Sequence, residues 1–247
     1  MCTATWLRRP GRLHLFFNRD EELRREPASP PRLARAADVS YVAPVDGRAG
    51  GTWILASERG LALALLNRSE GRRPDGAVRS RGELPTALVA SARPDDLERR
   101  LRARDLVAYP PFTLLALWLE PAAGTIVAWD GERLASRDAE SPAGILCSSG
   151  LGDEVARRGR EPAWRLRRER RGADWGPEDH RQLHRSHVPT PNAFSICMHR
   201  ADASTVSLVE VDLGGGVARL EYRAGLPCEN APPVERTLPL SIAPPAR

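Results

Sequence analysis

The stretch Leu61-Ala62-Leu63-Ala64-Leu65-Leu66 is apolar at every position and is fenced by Glu58-Arg59-Gly60 before it and Asn67-Arg68-Ser69 after it. A strand with no polar side needs apolar neighbours on both of its faces, so this run predicts a sheet that is covered above and below. The preceding Gly50-Gly51-Thr52-Trp53-Ile54-Leu55-Ala56 has the same character, and the turn residues between the two predict a hairpin. A second hairpin is predicted at the start of the chain, where residues 3–7 and 13–18 flank Arg8-Arg9-Pro10-Gly11-Arg12.

Helix signals follow the hairpins. Ser80-Arg81-Gly82-Glu83 has capping-box spacing ahead of Leu84 and Leu88, and Pro94-Asp95-Asp96 puts proline and acids where a helix N-terminus favours them. Residues 153–171 and 177–187 are highly charged and predict helices on the outside. Further strands are predicted at 112–119, 125–129, 144–147, 194–199, 205–212 and 217–222, the last two joined by Gly214-Gly215-Gly216. That glycine run precedes a strand, not a helix, so it reads as a turn and not as a phosphate loop. Residues 20–37 are charged and contain proline, which predicts a loop or short helix across the surface, and the tail from about 231 is expected to be irregular. The sum is an α+β chain with sheet packed on sheet and helices outside, in one domain over residues 1–247.

Apolar content of 41% and charged content of 28% exclude a globally disordered chain. All 37 basic residues are arginine, and the net charge of +5 is spread along the sequence. The run Arg165-Leu166-Arg167-Arg168-Glu169-Arg170-Arg171 interleaves an acid and lacks stacking aromatics, so no nucleic-acid partner is expected. The longest apolar run, residues 112–119, is too short to span a bilayer, and Leu7-Arg8-Arg9-Pro10 interrupts any secretory signal. The four cysteines, at 2, 147, 197 and 228, show no CxxC spacing. These features predict a cytoplasmic, reducing setting, with no cofactor signature, no membrane span and no indication of oligomeric state.

Cys2 is the residue with the most distinctive chemistry. Removal of Met1, which a small second residue permits, would leave a thiol and an α-amine on one residue. An α-amine titrates near about 8 and a cysteine thiol near about 8.5, so the amine can serve as general base to its own side chain at neutral pH. A thiolate also needs positive charge and an oxyanion site. Pairing of the first hairpin brings Arg19 and Asp20 near Cys2, and Asn67, at the end of the apolar strand, carries an amide that suits an oxyanion. The same residues also fit an ordinary solvated strand end at Asn18-Arg19-Asp20 and a turn at Asn67.

The series Met1-Cys2-Thr3, Phe17-Asn18-Arg19-Asp20-Glu21, Gly50-Gly51-Thr52-Trp53, Asn67 and Ser80-Arg81-Gly82-Glu83-Leu84 resembles the NRDE family, also called the transport and Golgi organisation protein 2 family. The resemblance is strong over residues 1–90 and weaker beyond. It implies an N-terminal-nucleophile hydrolase fold, a four-layer αββα sandwich, with distant similarity to choloylglycine hydrolases and penicillin V acylases. Cys2 would then be nucleophile and base, Arg19 and Asp20 its supporting pair with Asn18 beside them, and Asn67 the oxyanion donor. The family's mid-chain Gly-Leu-Ser-Asn is replaced by Ile145-Leu146-Cys147-Ser148-Ser149, which puts Ser149 in the asparagine's place. Arg200, ahead of Ser204-Thr205-Val206, would supply the arginine the family carries before a Ser/Thr-rich strand.

Two functional readings follow. One is a hydrolase that cleaves a non-peptide amide through a thioester on Cys2. The other is a non-catalytic intracellular carrier or trafficking protein for haem or a lipid-like ligand, so the expected partner is a small-molecule amide or a hydrophobic ligand. His180, His184 and His187 share one face of the predicted helix, but no cysteine or carboxylate completes a set there, and the expectation is a solvated face with no metal. His199, beside Cys197, is expected to be a core histidine with its hydrogen bonds met.

Overall fold

Pro10-Gly11 closes the first hairpin, with Gly11 at φ +64°, a conformation that glycine adopts without strain. That turn sets the register of strands β1 (Cys2–Arg9) and β2 (Arg12–Glu22): Arg9 lies opposite Arg12, and Cys2 opposite Arg19. The computed structural model describes residues 2–139, 142–188 and 190–241.

Seven strands follow one another across the first sheet: β3 (Ser29–Ala36), β4 (Val39–Val45), β5 (Ile54–Ser57), β6 (Leu61–Asn67), β7 (Phe112–Trp118), β8 (Ala123–Trp129) and β9 (Leu134–Asp138). The second sheet adds β10 (Ala143–Ser148), β11 (Ala203–Gly214), β12 (Val217–Ala224) and β13 (Val234–Pro239) to the first hairpin, in the order β10-β1-β2-β11-β12-β13. Every pairing within these sheets is antiparallel. The helices are α1 (Leu84–Leu88), α2 (Pro94–Arg102), α3 (Asp153–Arg171) and α4 (Pro177–His184). Among the described residues, two antiparallel sheets and four α-helices make an α+β protein, as the sequence predicts.

Side-chain alternation decides what each sheet face touches. Ala4, Trp6, Leu15 and Phe17 of the second sheet share one apolar cluster with Ile54, Ala64, Leu66 and Leu115 of the first. The other face of β6, Leu61, Leu63 and Leu65, packs with Leu84 and Leu88 of α1 and Leu97 and Leu101 of α2. Both faces of β6 are therefore apolar, which explains its unbroken sequence. Leu7 and Ala143 pack with Trp164 of α3, with Trp175 just ahead of α4 and with Leu183 of α4. Complete burial of one such leucine contributes about 1.5–3 kcal/mol.

Strand β11 carries a bulge. Thr205 pairs with Asp20 and Ser207 pairs with Arg19, so Val206 has no opposite residue. An extra residue swaps the faces on either side of it. Val209 and Val211 lie in the cluster between the sheets, whereas Thr205 turns to the side of α3.

Several elements differ from the sequence reading. Residues 29–36 form β3, although they were expected in a loop or helix; an edge strand accepts Pro30 and Pro31 because one of its sides needs no hydrogen bonds. Strands β4 and β9 carry no clean alternation of apolar and polar residues, so the sequence holds no strand signal there. The expected strand at 194–199 has only an isolated bridge, His199 to Ser204. The tail expected to be irregular from about 231 adds β13, which pairs with β12 from Val234 to Pro239. Ser80 caps the Arg81–Glu83 turn by accepting from the Gly82 N–H at 3.2 Å, but Glu83 pairs with Arg79, so the predicted box is half formed. Among the described residues, no helix is long and apolar enough to cross a membrane.

Candidate active site

Cys2 begins β1 between β10 and β2, opposite Ser148 on one side and Arg19 on the other. The residue is 7% exposed and lines a cavity of about 230 Å³ that also reaches Arg19, Asp20 and Asn67. Burial pushes the Cys2 thiol up, and the Asp20 carboxylate adds to that; the Asp20 backbone N–H, hydrogen-bonded to the sulfur, and the Arg19 charge act in the opposite direction. The thiol is therefore neutral near pH 7 and needs a base.

Adjacent strand residues point to opposite faces, and this separates the expected pair. Arg19 turns between the sheets, where its guanidinium stacks 4.2 Å from the centre of the Trp53 ring and pairs with Asp46. Arg25 joins the same carboxylate at 2.9 Å, and the Ala49 N–H donates to it at 2.7 Å. Burial works against the Asp46 carboxylate, but the Arg25 and Ala49 hydrogen bonds and the two guanidinium charges outweigh it and hold its pKa low. Arg19 and Asp20 are thus not partners of each other.

Asp20 turns toward α3. Arg160 Nη2 donates to its Oδ2 at 2.9 Å, and the Thr205 hydroxyl donates to Oδ1 at 2.6 Å. Arg160 also donates to the Thr3 hydroxyl at 2.6 Å and has no exposed surface, so α3 is far from wholly external. Beside it, the Trp175 indole N–H donates to His180 Nε2 at 2.7 Å. An indole nitrogen only donates, so His180 carries its proton on Nδ1, which faces the Thr5 hydroxyl at 2.8 Å. That hydroxyl in turn donates to His184 Nε2 at 2.8 Å. The chain of donors keeps both rings neutral. Burial lowers His180 well below its usual pKa, with the His184 ring adding to it, and burial together with the Arg160 charge lowers His184 to about 3. The expected solvated histidine face is in fact buried: His180 and His184 are completely enclosed.

Asn67 lies at the exposed end of β6 and lines both this cavity and a neighbouring one of about 360 Å³. Ser149 and Arg200 line only the second cavity. The Ser149 N–H donates to Asp153 Oδ1 at 2.9 Å, and Arg200 forms two hydrogen bonds with Asp202 at 2.9 and 2.7 Å. Asn18 faces away from both cavities; its amide donates to the carbonyls of His184 at 2.8 Å and Ile196 at 3.0 Å, tying β2 to the segment after α4.

Two residues at the cavity were read only as parts of motifs. The Trp53 indole N–H is buried without a hydrogen-bond partner in the cavity wall. Arg81 lines both cavities, donates to the Pro111 carbonyl at 2.8 Å, and has its pKa lowered by burial. Both sit in stretches that already stood out, the Gly-Gly-Thr-Trp and Ser-Arg-Gly-Glu motifs. Those stretches meet where a Cβ on Gly51 would lie 2.5 Å from the Gly82 carbonyl carbon, so only glycine admits the approach.

A separate group brings His187, Cys197, His199 and Cys228 together, with one donor atom of each within 4.8 Å of all the others. The sequence reading linked His187 to the two helix histidines and His199 to the core. The structure instead joins His187 and His199 with two cysteines.

A family model described as Transport and Golgi organisation 2 matches residues 1–150. No curated protein sequence matches the chain. Among solved structures, the N-acylethanolamine-hydrolyzing acid amidase ortholog of Caenorhabditis elegans matches at a TM-score of 0.58 and 10% identity, covering 84% of this chain and 91% of that one. A mutant of conjugated bile acid hydrolase from Clostridium perfringens matches at a TM-score of 0.50 and 11% identity, over 91% of this chain and 89% of that one. Both are N-terminal-nucleophile hydrolases, and the likeness is one of fold.

Proposed function

Because this chain belongs to the Transport and Golgi organisation 2 family, we propose that it is an N-terminal-nucleophile thiol amidohydrolase that cleaves a non-peptide carbon–nitrogen bond. In this reading, residues 1–247 form one domain, a four-layer αββα sandwich working in a reducing cytoplasm. Three apolar clusters support the layering: one shared by the sheets, one under α1 and α2, and one under α3 and α4.

The observation that carries the reading is the Cys2 thiol, which opens on a cavity walled by Arg19, Asn67 and the partnerless Trp53 indole. After loss of Met1, the Cys2 α-amine takes the thiol proton and the sulfur attacks the amide carbonyl carbon. The Asn67 amide, in the cavity wall, donates to the oxyanion in this reading. The α-ammonium then gives its proton to the leaving nitrogen as the carbon–nitrogen bond breaks. Water, deprotonated by the same amine, attacks the thioester and releases the acid and the thiol. Arg19, held by Asp46 and Trp53, supplies fixed positive charge on the strand opposite the sulfur.

The two structural neighbours act, by name, on N-acylethanolamines and conjugated bile acids. The cavity here is below the range of about 300–1,000 Å³ for drug-sized ligands, and four arginines line it. A small polar amide fits that wall better than a long acyl chain. A second reading, a non-catalytic carrier of haem or a lipid-like ligand, draws on the neutral Cys2 thiol and on the commitment of Arg19 to Asp46.

Intact-mass analysis of untagged protein, before and after incubation with N-acyl amines and an acyl nitrophenyl ester, separates the two. The enzyme reading expects loss of Met1, an acyl adduct on Cys2 and release of amine, with adduct and release both abolished in Cys2→Ala. Retention of Met1 in every molecule, or an adduct that survives Cys2→Ala, overturns it. Haem or fatty-acid binding unaffected by Cys2→Ala, without turnover, would establish the carrier.

A further inference from the structure

The segment after α4 has little regular structure, yet it is held from several directions. The Cys197 N–H donates to the Ser186 carbonyl at 3.0 Å, and the Ser195 hydroxyl lies 2.6 Å from the Cys197 carbonyl. Met198 exchanges two bonds with Thr205: its carbonyl accepts from the Thr205 N–H at 3.0 Å, and its own N–H donates to the Thr205 hydroxyl at 2.8 Å. Into this setting come His187 from the start of the segment, Cys197 and His199 from its end, and Cys228 from the Pro227–Glu229 turn.

His199 Nε2 stands 3.0 Å from His187 Nε2, 3.7 Å from Cys197 Sγ and 3.8 Å from Cys228 Sγ. A neutral imidazole nitrogen has either one proton or one lone pair, so hydrogen bonding can satisfy only one of these three neighbours. A cation at the centre satisfies all four atoms at once. With zinc–nitrogen bonds of about 2.05 Å and zinc–sulfur bonds of about 2.3 Å, a regular tetrahedron has nitrogen–nitrogen edges of about 3.3 Å and nitrogen–sulfur edges of about 3.6 Å. The observed separations lie close to those edges.

We propose that His187, Cys197, His199 and Cys228 bind one Zn²⁺ ion in a closed tetrahedral site. Two thiolates and two imidazoles are the donor set that zinc takes in structural centres, and four protein ligands leave no position for a substrate. Binding replaces the two thiol protons, so Zn²⁺ and two Cys–SH give a neutral zinc dithiolate and two released protons. The site joins three chain segments that share no continuous sheet. It also stands directly behind the proposed catalytic cavity: Met198, between two ligands, bonds Thr205, whose hydroxyl donates to Asp20. The ion would thus brace the loop that positions Asp20, without touching substrate.

The experiment is metal analysis of untagged full-length protein, followed by replacement of zinc with Co²⁺. Expected are one equivalent of zinc, the intense visible bands of tetrahedral Co²⁺, and a thiolate-to-cobalt charge-transfer band. Cys228→Ser should weaken metal binding at least tenfold and halve the charge-transfer intensity. His180→Asn, outside the cluster, should leave stoichiometry and spectrum unchanged. Less than a tenth of an equivalent of metal after zinc supplementation, or a Co²⁺ spectrum that Cys228→Ser does not alter, overturns the proposal. So does recovery of a Cys197–Cys228 disulfide from protein purified under reducing conditions. These readouts do not depend on any activity of Cys2.

Discussion

The two helical faces of this protein are built from opposite materials. Under α1 and α2 the interface with the seven-stranded sheet is a continuous apolar cluster of Leu61, Leu63, Leu84, Leu88, Leu97 and Leu101. Under α3 and α4 the six-stranded sheet buries Thr3, Thr5, Asn18 and Asp20 against Arg160, His180 and His184, with only a small apolar cluster beside them. An apolar interface tolerates sliding, because dispersion contacts have little direction. A hydrogen-bonded one does not, since each donor must meet its acceptor. The face that backs Cys2 and Asp20 is the directional one, which suits a site that needs fixed side chains.

That contrast can be tested from both sides. Arg160→Ala should have the largest effect, about 4 kcal/mol of lost stability in denaturant unfolding, because it leaves the Asp20 carboxylate buried without its cation. It should also change the rate at which a thiol reagent labels Cys2. Leu101→Ala should lose about 3 kcal/mol, a lost-packing effect, with labelling of Cys2 in the folded protein unchanged. If Leu101→Ala moved the labelling and Arg160→Ala did not, the division of labour between the faces would be wrong.

The third measurement is stability against pH. His184 titrates near about 3 when folded, against an ordinary value near 6.5, so between these values the unfolded chain binds the extra proton. Stability from this group is complete above about pH 6.5 and falls on acidification at about 1.4 kcal/mol per pH unit until the folded pKa is reached. Replacing His184 by Gln should flatten that part of the profile. An unchanged slope would mean that the ring is not enclosed as a neutral acceptor.

The same contrast explains what could be read in the sequence. The strands β6 and β7 announce themselves because both of their faces are apolar, and the opposition of Cys2 to Arg19 follows from one short turn. Edge strands β3 and β13 hide, since proline and charge are tolerated at a sheet's rim. Arg19 and Asp20 both sit beside Cys2 in the sequence pattern, but strand alternation, which turns their side chains to opposite faces, does not reveal what each one meets. Arg160, which meets Asp20, lies 140 positions away on a helix that looks merely charged. His187, Cys197, His199 and Cys228 lack motif spacing because three separate segments supply them.

Val206, the unpaired residue of β11, acts as a half-turn inserted into the phase of its strand. Were Val206 to pair in register opposite Asp20, the hydroxyl that now reaches that carboxylate would rotate inward among the valines and leucines, while the rest of the strand kept its place. The phase of that strand is therefore a coding element in its own right: drawing Val206 into the ladder would rewrite which side chains speak to the site, even though no side chain of the site had been altered.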